Sequence, residues 1–245
     1  MHSHRLPAAR FLLALLPALP AAAYTIGDGV FDPSDWSHEV RFDAGFTGVS
    51  ASVSQVANGG NLGPYRSIGY SMTWAGTQVY GSVYVISRHL DFVYDPSVLG
   101  AIASLSYEED QTRLSAGWSP ALVAGNAVLF QAGKIYLGPN FVFGPNNLSW
   151  TERSFTGLTA ADFVELDGMN VLTESHPDFS ASAPTLGFGY SRSNSYSFSS
   201  SISHGIDNWF FTVESAAPVP EPAAAAGLAG LAALGCAALR RRPRA

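Results

Sequence analysis

Three consecutive acids, Glu108-Glu109-Asp110, are the place in this sequence where residue types and spacing best suit acid–base chemistry. They follow an alternating stretch that ends at Tyr107. If that strand runs on, Glu108 and Asp110 point the same way, with Cα atoms about 6.5–7 Å apart. Carboxyl groups about 5–5.5 Å apart are what a retaining glycosidase uses, one as nucleophile and one as acid. The triplet equally suits a solvated loop, and no Glu-x-Asp-x-x-Glu strand signature accompanies it. A carbohydrate-active hydrolase built on Glu108 and Asp110 is therefore the alternative reading, not the leading one.

Other catalytic constellations are missing from the string. There is no His-Glu-x-x-His helix, no Gly-x-Ser-x-Gly elbow, no phosphate loop and no Asp-x-Asp-x-Asp-Gly calcium loop. His38, His89, His176 and His204 are far apart and read as surface or turn residues. The single cysteine, Cys236, lies in an apolar stretch, where it is a small apolar residue. Asp207 and Asn208 offer oxygens to a structural calcium ion, but calcium needs several more from backbone carbonyls. Their simpler role is a turn that starts a strand, so no metal ligands and no cofactor are assigned.

Aromatic side chains are the remaining chemical resource. Tyr65, Tyr70, Trp74, Tyr80, Tyr84, Tyr107, Trp118, Tyr136 and Trp150 all lie in or near alternating segments. Flat rings with a polar tip stack on sugar faces, and the same rings fill sandwich cores. Trp74 and Trp118 are the candidate stacking residues, provided that they face outward.

The elements that must position these groups are short strands. Ile68, Tyr70, Met72 and Trp74 alternate with Ser67, Gly69, Ser71 and Thr73, a half-buried strand. Val79, Val83 and Val85 alternate with Tyr80, Ser82 and Tyr84, and Tyr196, Phe198 and Ile202 sit among serines in the same way. Trp209, Phe211 and Val213 alternate with Asn208, Phe210 and Thr212, apolar on nearly both faces, as in a central strand. Breakers recur at strand spacing, among them Asn58-Gly59-Gly60, Asp95-Pro96, Gly138-Pro139-Asn140 and Ala183-Pro184. Only Thr159–Phe163 reads as helical, opened by a Thr-x-x-Asp capping pattern. The expected fold is all-β, an antiparallel β-sandwich.

The middle of the chain resembles jelly-roll modules of the carbohydrate-binding, galactose-binding-like, concanavalin-like and laminin-B-like kinds. Phe31-Asp32…Trp36, Gly59-Gly60-Asn61, Gly100 to Tyr107 and the closing Gly205-Ile206-Asp207-Asn208-Trp209 carry the likeness. The resemblance implies that the first and last strands pair. It does not imply a ligand, because such folds host many functions.

Both ends of the 245-residue chain read as addresses. Arg5 and Arg10 precede the apolar run Phe11–Leu16, and Ala21-Ala22-Ala23 forms a small-x-small site, placing signal-peptidase cleavage between Ala23 and Tyr24. The segment 1–23 is thus expected to be a Sec signal helix. At the other end, Pro220-Glu221-Pro222 leads into an uncharged Ala/Gly/Leu segment, 223–239, and a basic end, 240–245. Seventeen helical residues reach about 25 Å, near the lower limit for a membrane span, and the arginines hold their end in the cytoplasm. This order resembles the PEP-CTERM sorting signal. The resemblance implies export in a Gram-negative bacterium that makes extracellular polysaccharide. It also implies cleavage of the tail by an exosortase and only transient anchoring by the transmembrane helix, ending at the cell surface or in the extracellular matrix.

The expected organisation is therefore a signal peptide (1–23), one sandwich domain (24–217) and a sorting tail (218–245). Between residues 24 and 219 there are 7 Lys and Arg against 18 Asp and Glu, a net charge of −11. Such a surface repels phosphate backbones and excludes nucleic acid as a partner. With no cysteine there, the domain must hold together by burial alone. The expected function is non-enzymatic, either polysaccharide binding or a structural role in the matrix.

Overall fold

The computed structural model describes residues 23–76, 80–114, 122–196 and 198–216. In chain order the strands are β1 (Ala23–Asp28), β2 (Trp36–Phe42), β3 (Phe46–Val56), β4 (Tyr65–Trp74), β5 (Gly81–Tyr94), β6 (Ile102–Arg113), β7 (Val123–Gln131), β8 (Lys134–Phe143), β9 (Thr151–Leu158), β10 (Val164–Asp167), β11 (Asn170–Leu172), β12 (Leu186–Tyr196) and β13 (Ser200–Ser215). They form the expected antiparallel sandwich. The first sheet has the order β3-β4-β13-β6-β9, and the second β11-β10-β8-β7-β12-β5-β2. The first half of β13 pairs with β4 and its second half with β1, from Trp209↔Asp28 to Glu214↔Ala23. First and last strands thus do pair.

Alternation decides which side chains meet between the sheets. Ile68, Tyr70 and Met72 of β4, Leu105 and Tyr107 of β6, and Trp209, Phe211 and Val213 of β13 are buried. They pack against Val83 and Val85 of β5, Leu129 of β7, and Leu186, Phe188 and Tyr190 of β12 in one core. Each such side chain contributes about 1.5–3 kcal/mol by leaving water. On β13 the buried set shifts from even numbers (Ile202, His204, Ile206) to odd (Trp209, Phe211, Val213). The pairing with β6 is irregular at that point, between Asp207 and Phe210, and Asn208 has φ 46°. An inserted bulge residue of this kind is what restarts the alternation.

Three sequence expectations are corrected. Gly138-Pro139-Asn140 does not break a strand but lies inside β8. There Asn140 pairs with Asn126 and Leu137 with Val128, so Gly138 and Pro139 oppose Ala127 alone. That bulge spares Pro139 a ladder donor it does not possess. The serine-rich stretch through Tyr196 and Ile202 is two strands, because β12 belongs to the second sheet and β13 to the first. Helical turns also form where none was expected. Pro33–Asp35 is a 3-10 turn and Pro96–Leu99 a single α-helical turn, α1. In both, an aspartate of an Asp-Pro-Ser sequence (Asp32, Asp95) accepts the serine N–H at 2.9 Å, with proline in the first turn. The expected turn at Thr159–Phe163 is present as Ala160–Asp162, where the Asp162 carboxylate takes the Thr159 N–H at 2.7 Å.

The core also holds charge. Arg192 of β12 and Glu109 of β6 are both fully buried, with Nη2 to Oε1 at 2.6 Å across the two sheets. Tyr107 donates its hydroxyl to the other Glu109 oxygen. The rings of Tyr190, Phe141 and Phe143 surround the guanidinium at 5.2, 5.8 and 5.9 Å. His204, also fully buried, stands edge-on to Tyr70 and Phe143, and neither ring nitrogen has a hydrogen-bond partner among the described residues.

Candidate binding face on the second sheet

The outer face of the second sheet is curled inward. Arg41 on β2 donates from Nη1 to the carbonyls of Leu166 (3.1 Å) and Gly168 (3.3 Å), at β10 and the turn after it. Four strands separate β2 from β10 in the sheet order. Laid flat at about 4.8 Å per strand they would be roughly 24 Å apart. Only a strongly curved sheet brings them within reach of one side chain. The curl buries a second apolar cluster on this face, Ile86, Val128, Ile135, Leu137 and Leu166. That cluster fills the middle and leaves a pocket at each end, of about 510 Å³ and about 460 Å³.

The larger pocket is walled by Tyr84 of β5, with Ser193 of β12 and Asn140 of β8 beside it. Burial raises the Tyr84 hydroxyl above its ordinary pKa, so it stays protonated and able to donate. Ser193 and Asn140 make no side-chain hydrogen bond among the described residues, whereas Asn126 is held by Gly138 and Ser191. The smaller pocket is more charged. Arg41 and Arg88 enter it from β2 and β5 and Lys134 from β8. Lys134 pairs with Glu165 at 2.7 Å, and that bond together with the one from Ser175 holds the Glu165 carboxyl below the usual range.

The floor between the pockets comes from β12, whose outward residues Gly187, Gly189, Ser191, Ser193 and Ser195 are all small. A Cβ at Gly189 would lie 2.0 Å from the Ser87 carbonyl and 3.0 Å from the Phe130 ring. Glycine is needed there for the backbones to approach.

The acidic triplet is divided by the strand that carries it. β6 continues to Arg113, so Glu108 and Asp110 do share the outer face of the first sheet, while Glu109 points into the core. Asp110 is not free to react, because its Oδ2 accepts the amides of Asn61 at 2.8 Å and Asn208 at 2.7 Å. Asp207 accepts the Leu62 N–H at 3.2 Å and the Asn208 N–H at 2.8 Å. Together these bonds pin the Asn58–Pro64 loop. Burial, then Glu152 and Asp110, push the Glu108 carboxyl up, but the cavity beside it is only about 50 Å³. Ligand pockets run to roughly 300–1,000 Å³. Among the described residues no three His, Cys, Asp or Glu side chains converge on one point.

Trp74 faces inward and packs against the main core, edge-on to Phe46 at 6.0 Å. Trp118 lies outside the described residues, as do Ala21 and the tail with Pro220, Glu221 and Pro222. So do the expected signal and transmembrane helices, and among the described residues no helix is long and apolar enough to cross a membrane. Ala23 and Tyr24 open β1 and are exposed. The binding-face residues Tyr84, Arg88 and Phe130 were missed as a set. Period-two parity places each on the outer face of its own strand, but only the sheet order brings them together.

Fold and face define a jelly-roll-like sandwich with one curled, pocketed sheet. The model of the PEP-CTERM protein-sorting motif matches residues 218–242, which marks an exported protein sorted to the cell surface. None of the curated proteins compared with the sequence matches it. Among solved structures, the chain is similar to a family 11 carbohydrate-binding module from Clostridium thermocellum in complex with a beta-1,3-1,4-mixed-linked tetrasaccharide. The identity is 12% over 82% of this chain and 100% of that one, with a TM-score of 0.44. It is also similar to a xylan-binding domain of family 22, at 11% identity over 81% and 100%, TM-score 0.39. An exo-beta-agarase matches at 11% identity over 80% of this chain but 26% of its own length, TM-score 0.39. None of these scores reaches 0.5, and the fold rests on the strands themselves.

Proposed function

We propose that this chain is an exported, non-enzymatic β-sandwich module that binds extracellular polysaccharide at the cell surface. The pocket walled by Tyr84 carries the reading. It combines a ring with a polar tip, two uncommitted polar side chains (Ser193 and Asn140) and apolar walls from Leu137, Pro139, Val164 and Val171 within about 510 Å³. An apolar face with a few convergent polar groups is what a sugar ring requires. Short oligosaccharides should bind weakly, with Kd on the order of 0.1–1 mM. Tyr84→Ala should weaken polysaccharide binding about tenfold, the equivalent of 1.4 kcal/mol, and leave a cooperative melt. Unchanged affinity in affinity electrophoresis would remove this pocket from the reading.

Processing completes the proposal. Signal peptidase cuts before Tyr24 and exosortase removes the tail, with 223–239 as the membrane segment until then. The exposed, extended chain at Ala23–Tyr24 supports the first cut, and five of the six β1–β13 pairs, from Tyr24↔Val213 onward, survive it. Intact-mass analysis of surface-released protein should give a chain starting at Tyr24. Recovery of Arg240–Arg244 in that fraction would contradict the tail cleavage.

A further inference from the structure

The basic residues between 24 and 219 are unevenly placed. Arg66, Arg113 and Arg192 are buried. Arg153 pairs in register with the inward-facing Glu109 and so points between the sheets. The other three, Arg41, Arg88 and Lys134, all line the pocket of about 460 Å³. Two of them are committed: Arg41 to Glu39 at 2.8 Å, and Lys134 to Glu165 at 2.7 Å.

Arg88 differs. It is exposed and makes neither an ion pair nor a hydrogen bond among the described residues, and its guanidinium rests 5.1 Å from the centre of the Phe130 ring. Space for that pose comes from β12, where a Cβ at Gly187 would stand 3.2 Å from the guanidinium nitrogens. The fold thus holds one uncompensated cation in place on a domain of net charge −11. The rest of that surface repels anions.

We propose that this pocket is an anion subsite for the carboxylate of an acidic sugar, so that the polysaccharide held at Tyr84 is a uronate-containing one. The inference rests on the polysaccharide reading above and adds the substrate class. A guanidinium presents planar paired donors that match a carboxylate in two parallel hydrogen bonds. Arg88 carries the subsite alone, because the charges of Lys134 and Arg41 in the same pocket are met by Glu165 and by Glu39, which also lines it. The two pockets share one face, on either side of the Ile86–Val128–Leu166 cluster, so one polymer spans both.

The test uses the purified full chain, wild type and Arg88→Ala, in titrations against polygalacturonate and alginate. Each polymer is compared with its carboxyl-reduced, neutral counterpart. The wild type should prefer an acidic polymer at least about tenfold, a difference that shrinks with added salt. Arg88→Ala should lose that preference while melting like the wild type, since the side chain is exposed and unpaired. Equal affinity for acidic and neutral polymers overturns the anion subsite, as does a preference that survives in Arg88→Ala. If neutral polymer binds and Tyr84→Ala abolishes it, the polysaccharide reading stands without the subsite. Binding to neither polymer overturns both.

Discussion

Glu109→Ala should destabilise the fold by about 3–5 kcal/mol, although it removes a charge from the core. Its carboxylate is the only acidic partner within bonding distance of Arg192 among the described residues, at 2.6 Å. Without it a guanidinium that cannot give up its proton remains among Tyr190, Phe141 and Phe143. The reverse change, Arg192→Met, should cost less. Burial already pushes the Glu109 carboxyl above its usual range, so once Arg192 is gone it can take up a proton and become neutral. The double variant Glu109→Leu, Arg192→Met should recover most of the loss, because a packed apolar pair needs no desolvation of charge. Urea midpoints for the four proteins decide the matter. A Glu109→Ala unfolding free energy, from midpoint and slope, within about 1 kcal/mol of wild type would mean that the pair is not what holds Arg192 in the core.

Acid should weaken the fold as the pH falls below about 6.5, with His204 the largest single source. Burial first, then Arg192 and Arg113, hold its ring well below the ordinary value of 6.5. The unfolded chain therefore takes up a proton on His204 at a pH where the folded chain does not. Stability is full above the unfolded pKa and falls as the pH drops from there toward the lowered folded value. His89 and His38 are also shifted down, chiefly by burial, and act with the same sign. Glu109, shifted up, opposes them at lower pH. His204→Leu keeps the site between Tyr70 and Phe143 filled and removes the titration. Its stability should be flatter between about pH 7 and pH 5, read as urea midpoints. Equal pH slopes for wild type and variant would show that His204 is not the source.

The strands that bury one face were legible, because a slip of one residue would have exposed the whole set. Ile68-Tyr70-Met72 and Trp209-Phe211-Val213 are the clearest examples. Two further local signals were there to be read. The even-to-odd shift between Ile206 and Trp209 marks the bulge, and the two Asp-Pro-Ser sequences mark capped turns. What could not be read depends on topology. Arg192 meets Glu109 across 83 positions of chain, and neither side chain announces the other. The acids of the triplet looked like a surface feature because nothing nearby offers a counter-charge. Likewise the row Gly187 to Ser195 alternates visibly, but it becomes the floor of a binding face only when β2 and β10 curl toward each other.

The course of the last strand bears on how the module would carry a load. β13 is the longest strand among those described, ends at Ser215, and is flanked by β6 on one side and by β4 and β1 on the other. The chain leaves this strand toward its tail. Tension between a held polymer and the membrane segment, for as long as the tail is uncut, would therefore pull along β13, parallel to its ladders. The hydrogen bonds on both sides would be sheared together rather than opened one at a time. Resistance to such a pull is governed by the unfolding rate rather than by equilibrium stability. A long central strand at that end would resist such a pull where a short edge strand would peel away.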